Sequence, residues 1–486
     1  MSKINTPTNA YMRMAERWHL PHALYDGQKA LQSNAVKFLP QFEGESSYNY
    51  AVRLKASYLF NVYKKTIDGA VGKVFSKPSS VNDAHKKIVE WIEDIDLQGN
   101  HLDVFNRGVF HNGLNSGIGH IFVDVTSAPD LGREATLADQ EELGLRPYFV
   151  NVPPQNVIEQ RFQQIKGRLT LTRVRIKEDA DEAGEDFVER RVERIRVLEI
   201  GKWSLWEKFG PDDWRVIDGN TTPLTYIPFV NFYTNQTGPG EAVPPLENLA
   251  NTNLRHYQSS TDQINILRIA RVPILHISGM DDIGGEGSQK KQDVVVGPNS
   301  VIKTGIDDKV GWVEHSGAAI NSGRDDLANL EKQMQEQSMA LTARSTSGDV
   351  TATEAVGNHL EAHCILQSYA HTYRDALELA LSYMADLGGL GKENGGTVII
   401  NTDFSVPFDK SLKLQHLISI RASGDISRET FLREIQSTGF FSEDFDVEVE
   451  IEKVENEVPV LTGEPMDITN SLETSTAKVP TMELNK

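Results

Sequence analysis

One cysteine, Cys364, in 486 residues excludes an intrachain disulfide and any all-cysteine zinc site, and fits a reducing compartment. Long apolar runs are also missing: none approaches the ~18 residues that a membrane-spanning helix requires. The opening Met1-Ser2-Lys3-Ile4-Asn5 leads into a polar stretch and lacks the basic-then-apolar pattern of a secretory leader, so a soluble chain made inside the cell is expected. Positive charge is scarce. Lys and Arg number 49 against 69 Asp and Glu, a formal net charge of −20 at pH 7. Sequence-independent clamping of DNA needs clustered cations that displace counterions from phosphates, and the overall balance opposes that. No internal repeat is visible.

What is present is a chain too long for one hydrophobic core, so two or more packed regions are expected. Tyr50, Leu54, Ile67, Val71 and Val74 recur at helical spacing, and the pattern predicts one long helix over Ser46–Val74, ended by Lys77-Pro78. Helical stretches over His85–Ile95 and around Leu102–Phe110 precede the strand-like Ile121-Phe122-Val123. Between Arg146 and Tyr233 short β-branched and aromatic runs separated by Gly201-Lys202 and Gly210-Pro211-Asp212 predict antiparallel strands. The acidic stretch Glu178–Asp186 reads as a solvated hairpin tip, since it lacks the spacing and central glycine of a calcium loop.

A polar helix follows over 244–271, started by Pro244-Pro245 and closed by Val272-Pro273, with its few apolar side chains on a narrow stripe that needs neighbours. A Gly-punctuated β-rich module, 274–313, separates it from a second lean helix over Arg324–Leu341. Arg344–Thr353 is a Ser/Thr/Gly-rich loop, and Thr353 can cap a helix running from Glu354 to Leu387, stopped by Gly388-Gly389. A strand at Thr397–Ile400, helices over Ser411–Ala422 and Ser427–Gln436, a helix or acidic arm over Glu443–Glu457, and a Pro/Thr/Ser-rich tail expected to be disordered complete the chain. The fold class is therefore α+β.

Catalytic signatures are weak. His359-Leu360-Glu361-Ala362-His363 spaces two imidazoles for one helix face, but a zincin needs His-Glu-x-x-His and the glutamate is misplaced. The structural reading is polar packing at a helix or subunit contact; the functional one is a metal-dependent hydrolase. Gly388–Glu393 superficially resembles a phosphate loop, yet Asp386 stands at the first-glycine position and Glu393 where Ser or Thr would hold magnesium, so it reads as a helix stop. No Gly-x-Ser-x-Gly elbow occurs. No catalytic, cofactor or metal residue is assigned, and the chain is expected not to be an enzyme.

The element order resembles that of tailed-bacteriophage portal proteins, the head–tail connectors. Local stretches sharpen the likeness: Phe38-Leu39-Pro40 with Gly44-Glu45, Tyr48 and Arg53; Asn61, Lys65-Thr66, Gly69 and Gly72; Ile227-Pro228-Phe229-Val230; Asn253-Leu254 with His256-Tyr257; and Gly424-Asp425-Ile426-Ser427. The resemblance spans roughly residues 38–455. It implies an N-terminal arm (1–14), a wing (15–243, with the strands of 146–233), stem helices (244–271 and 321–344), a β-rich clip (272–320), a tunnel loop (345–353), a long tunnel-side helix and strand (354–410), a helical crown (411–457) and a disordered tail (458–486). It further implies a homo-dodecameric ring at one capsid vertex of the virion, assembled from subunits made in the host cytoplasm. That ring passes double-stranded DNA without sequence specificity in packaging and ejection, and docks terminase, then head–tail adaptors, with capsid and scaffold proteins as further partners. No cofactor is implied. Arg344, Ser345, Thr346, Ser347, Gly348, Asp349, Val350 and Thr351 would face the DNA. Arg344 reads either as a braking contact or as a surface ion pair with a residue such as Asp349. Lys290, Lys291 and Lys303 of the clip would be solvated hairpin charges or contacts to terminase or DNA. Another virion ring or adaptor component is the alternative; it would share solubility and oligomerisation but not this element order.

Overall fold

Thr8 starts the first helix by accepting the N–H of Tyr11 on its hydroxyl. This helix, α1 (Asn9–Asp26), begins inside the stretch that the resemblance assigns to an arm. It is held by Trp18, whose indole N–H donates to the carbonyl of Ser116 at 2.8 Å, and by Met14, buried with Ile118 and Ala242. A computed structural model of the chain describes residues 4–126, 143–183, 189–271, 274–278, 309–313, 317–342, 352–402, 404, 407–437, 440–441 and 445–456. Two compact units divide it, residues 1–404 and 405–486.

Short helices α2 (Gln28–Ser33) and α3 (Ala35–Phe38) lead to α4 (Ser47–Ala56) and α5 (Val62–Val74). The single long helix expected over Ser46–Val74 is thus two. Ser57 takes an extended conformation (φ −61°, ψ 144°), and Asn61 caps α5 by accepting the N–H of Lys64. The break is stabilised from outside: Gln28 donates to the Ser57 carbonyl at 2.9 Å, and Gln32 donates to the Leu54 carbonyl and the Ser57 hydroxyl, both at 3.1 Å. Polar groups from other helices satisfy the backbone that the break frees, so helical periodicity does not continue through it.

Strand β1 (Ser80–Asn82) and α6 (Lys86–Trp91) precede α7 (Leu102–Ser116), whose Phe105, Val109, Phe110 and Leu114 are buried at helical spacing. Its C-terminal Gly117 (φ +86°) turns the chain into β2 (Ile118–Val125), which pairs antiparallel with β3 (Pro147–Val152) on one side and a later strand on the other. Strands β4 (Val157–Ile165), β5 (Arg168–Lys177), β8 (Arg194–Glu199), β9 (Lys202–Lys208) and β10 (Trp214–Thr221) form a five-stranded antiparallel sheet in the order β10-β9-β8-β5-β4. From it projects the hairpin β6 (Ala180–Ala183) and β7 (Glu189–Val192). The acidic stretch is accordingly not all loop. Asp181 and Glu182 lie in register opposite Arg191 and Arg190, while Glu178 and Glu182 pair with Arg196 and Arg194 at 2.7 and 2.5 Å. Cross-strand cations give these carboxylates partners that periodicity alone does not reveal.

β11 (Phe229–Tyr233) returns to β2, completing a three-stranded sheet, and β12 (Gln236–Gly238) and β13 (Glu241–Ala242) close the segment. Next come α8 (Glu247–Ala270), the antiparallel pair β14 (Ile274–Ser278) and β15 (Lys309–Val313), α9 (Ala318–Thr342), α10 (Ala352–Leu387), and β16 (Thr397–Ile399), which pairs with β1. Gly389 (φ +70°) follows the end of α10, and Leu390 N–H donates to the Ala385 carbonyl, a glycine stop. The main core packs α5, α7 and α10 on the three-stranded sheet. Phe110 lies 5.3 Å from Phe232 and 5.6 Å from both Phe75 and Tyr373, a cluster of mostly edge-on rings.

The second unit holds α11 (Pro407–Ser423), α12 (Arg428–Ser437) and α13 (Val447–Asn456). Gly424 (φ +85°) ends α11, and the Ser427 hydroxyl caps α12 by accepting the Thr430 N–H. The stretch read as helix or acidic arm is helical over Val447–Asn456. Asp446 caps it, accepting the N–H groups of Glu448 and Val449. The tail from 458 lies outside the described residues.

Candidate functional site

The polar helix α8 is where sequence and structure differ most instructively. Its composition suggests a stripe helix that needs a partner outside the chain, yet its first turns are enclosed within the chain by hydrogen bonds. Asn253 is fully buried; its amide donates to the Phe60 carbonyl and accepts the Tyr63 N–H, both at 3.0 Å. Tyr257 donates to the Ser57 hydroxyl at 2.8 Å, and Gln258 donates to the Phe38 carbonyl at 2.9 Å. Each satisfies a backbone or side-chain group at a break between N-terminal helices, so polarity here is intrachain fastening.

The opposite side of α8 meets α9. Gln263 donates to the Ile320 carbonyl at 2.8 Å, Ser259 to Asp326 at 2.9 Å, and His256 Nε2 lies 3.4 Å from Glu331. Falling numbers on one helix against rising numbers on the other make the pair antiparallel. On α9 only Leu330 and Met334 are fully buried among the described side chains, and most of the helix is exposed; it is the lean helix of the two. Together the pair projects a two-stranded ladder, β14 with β15, running from Ile274 opposite Val313 to Ser278 opposite Lys309.

Arg53 binds the pair to the body. At 2% exposure it donates twice to Glu45 (3.0 and 2.9 Å) and once to the Pro40 carbonyl (2.8 Å), and reaches Asp262 of α8 at 3.5 Å, while its guanidinium lies 4.0 Å from the centre of the Phe42 ring. The hydrogen bonds from Arg53 hold the Glu45 carboxyl below its ordinary range; burial pushes Asp262 up despite the opposing Arg53 charge. Glu45, Pro40 and Arg53 are among the residues that carry the portal resemblance. Glu45 and Pro40 hold the Arg53 guanidinium, which alone of the three reaches α8, at Asp262.

A separate cavity of about 370 Å³ lies between the two larger sheets, walled by Phe122, Trp203, Tyr226 and Leu387. On its polar side Arg196 pairs with Glu178 (2.7 Å) and Asp124 (3.4 Å). Burial raises both Glu178 and Tyr148, the latter to about 12. Sequence reasoning missed this network because its members come from β2, β3, β8 and the start of the β6–β7 hairpin, with no shared spacing.

The tunnel-loop candidates Arg344, Ser345, Thr346, Ser347, Gly348, Asp349, Val350 and Thr351, and the clip candidates Lys290, Lys291 and Lys303, lie outside the described residues. His359, Glu361, His363 and Cys364 lie on the backbone of α10, but their side chains are outside the description too. Among the described residues no group of three or more His, Cys, Asp or Glu side chains is placed to hold a metal ion. Lys392, in the glycine-rich stretch after α10, lies 3.6 Å from Asp386 and 3.8 Å from the Tyr226 ring centre. The described lysine thus braces a helix end, consistent with a helix stop. Among the described residues no helix is long and apolar enough to cross a membrane.

Residues 245–387 match a family described as a domain of unknown function, DUF4055. No curated protein sequence matches the chain. Among solved structures, the chain is similar to one in the neck of a native gene transfer agent particle computed with C12 symmetry, at 11% identity and a TM-score of 0.44, over 77% of this chain and 89% of that one. It is similar to one in the virion of the native gene transfer agent particle, at 11% identity and a TM-score of 0.42, with the same coverage. A third similar chain belongs to the neck of an empty particle computed with C6 symmetry, at 11% identity and a TM-score of 0.41, over 77% of this chain and 90% of that one.

Proposed function

We propose that this chain is the portal subunit of a tailed-phage-like virion, one copy in a ring of about a dozen that forms the channel for double-stranded DNA. The observation that carries the reading is the antiparallel pair α8–α9 with the β14–β15 ladder between the two helices, fastened to an α+β body through Arg53, Asn253 and Gln258. A helix pair anchored at one end, with one largely exposed member, has the build of a stem that neighbouring copies would flank.

In this reading the chain's net negative charge serves transport. A lining of Ser, Thr, Gly and carboxylates lets a polyanion slide, where a basic lining would hold it through counterion release. Arg344–Thr351 would face the DNA, and Lys290, Lys291 and Lys303 would meet terminase, adaptors or DNA. The ring would sit at one capsid vertex, with capsid and scaffold proteins as neighbours. The chain would perform no catalysis.

The test is native mass spectrometry of the purified chain, with end-on electron micrographs. A closed ring of about a dozen copies around a hole wide enough for a duplex is expected. A monomer that stays monomeric with scaffold and capsid protein present would sink the proposal. Stoichiometric zinc lost on His363→Ala would favour the hydrolase instead.

A further inference from the structure

Two unlike surfaces of the first unit stand out by exposed apolar side chains and by charge. On the first, α3, α4, the loop between them and the residues just past α4 expose Val36 (87%), Tyr48 (77%), Tyr58 (56%) and Phe42 (50%). This surface is braced: Tyr50 donates to the Leu39 carbonyl, Arg53 lies on the Phe42 ring, and Gln28 and Gln32 hold Ser57 beside Tyr58. Residues 36–58 carry Lys37, Lys55 and Arg53 against Glu43 and Glu45, with Lys29, Lys64 and Lys65 flanking them in the sequence, a net positive stretch in a chain of net charge −20. The lysines are exposed, whereas Arg53 and Glu45 are spent on each other.

The second surface lies on α6 and the turn after it. Val89 (44%) and Leu97 (40%) are exposed, with Glu90 and Glu93 exposed beside them. Residues 83–100 carry five carboxylates against Lys86 and Lys87.

We infer that the lysine and aromatic surface of residues 36–58 docks on the acidic surface of residues 83–100 in a second copy of this chain. The inference rests on the ring reading above and names the contact that would build the ring. Two different, mutually complementary patches make a heterologous contact, the kind that closes into a ring, whereas a self-complementary patch stops at a dimer. Charge complementarity selects the occupant: lysines meet carboxylates around a centre of exposed rings and aliphatic side chains, the anatomy of a protein–protein contact. Duplex DNA fits the surface less well. The only arginine in the stretch is buried and paired, and exposed tyrosines at its centre gain little from a phosphate backbone.

The test compares wild type with Lys37→Glu/Lys55→Glu, with Glu90→Lys/Glu93→Lys and with the quadruple variant, by native mass spectrometry. All four side chains are exposed, so the variants are expected to fold, which circular dichroism melts matching wild type would verify. Each double variant is expected to lower the ring fraction by about tenfold or more, and the quadruple variant, which restores complementarity at every contact, to recover it. Tyr48→Ser, which alters no charge, should also weaken assembly. Double variants that form rings like wild type would overturn the inference and leave the ring reading standing. A wild-type chain that forms no ring even with scaffold and capsid protein present would overturn both. Unchanged rings with weaker retention of duplex DNA would reassign the surface to nucleic acid and overturn it too.

Discussion

The side chain of Asn253, in the second turn of α8, accepts the backbone N–H of Tyr63 at 3.0 Å, 190 residues earlier in the chain. The same amide donates to the Phe60 carbonyl, so one residue satisfies both sides of the entry into α5. Asn253→Ala leaves the buried Tyr63 N–H without a partner and removes one of the two donors to the Phe60 carbonyl, which keeps the Val62 N–H, and is expected to destabilise the first unit by about 1–3 kcal/mol. Urea denaturation should show a lower midpoint with an unchanged slope. An unchanged midpoint would mean that water replaces the amide at little cost.

Arg53 offers a sharper test, because its charge and its fork geometry are separable. Arg53→Met strands Glu45 and the Pro40 carbonyl and is expected to cost about 3–5 kcal/mol. Arg53→Lys keeps the charge but cannot make the paired bonds to Glu45 together with the bond to Pro40, and should recover only part of that loss. Arg53→Met/Glu45→Gln removes the stranded carboxylate and should be more stable than Arg53→Met alone; additive losses would refute the coupling.

Stability should fall in mild acid. Burial lowers His120 to about 4, against an ordinary value of 6.5; its Nδ1 lies 2.8 Å from the Asn231 amide oxygen, whose hydrogen bond opposes the shift. His22 is likewise lowered to about 4, by burial first and then by the charges of His111 and His19. Between pH 6.5 and 4 the unfolded chain binds protons that the folded chain does not. Their contribution is complete above about pH 6.5 and is lost as pH falls toward 4, by up to about 3 kcal/mol for His120. Carboxylates titrate in the lower part of the same window, so the informative quantity is wild type minus His120→Gln. That difference should shrink from pH 7.5 to pH 4.5; a constant difference would contradict the buried neutral ring.

Gly113 of α7 lies against Phe232 of β11, and Gly117, just past the end of α7, lies against the backbone of Val243, just after β13. A Cβ on Gly113 would overlap the Phe232 ring, and one on Gly117 would overlap the Val243 backbone at a φ of +86°. Phe232 is a side chain that can shift, so Gly113→Ala should cost about 1–3 kcal/mol. Gly117→Ala meets backbone and strain together and should cost more. Equal thermal melts for the two variants would show that the turn relaxes freely.

Much of the α+β order is legible in the sequence where one face is apolar. Val109 and Phe110 mark α7, and the Val- and Ile-rich runs of β5 and β8 mark the sheet. Strand β4 escapes that reading because beyond Val157 and Ile158 it is mostly polar, with its outer half exposed; pairing with β5 makes it a strand. The α4–α5 break escapes it too, because apolar residues on both sides keep helical spacing while Gln28 and Gln32, far along the chain, stabilise the extended Ser57.

By itself the sequence determined the lean helix α9, the glycine stop after α10, the absence of an intrachain disulfide and the acidic balance, all of which depend on local spacing or on composition. Only the tertiary structure decided that α8 is fastened within its own chain, that Arg53 is buried, and that carboxylates of the acidic stretch near residue 180 pair with arginines of neighbouring strands. A hydrogen bond or ion pair takes its value from the burial and position of both partners, and neither is fixed until distant segments meet.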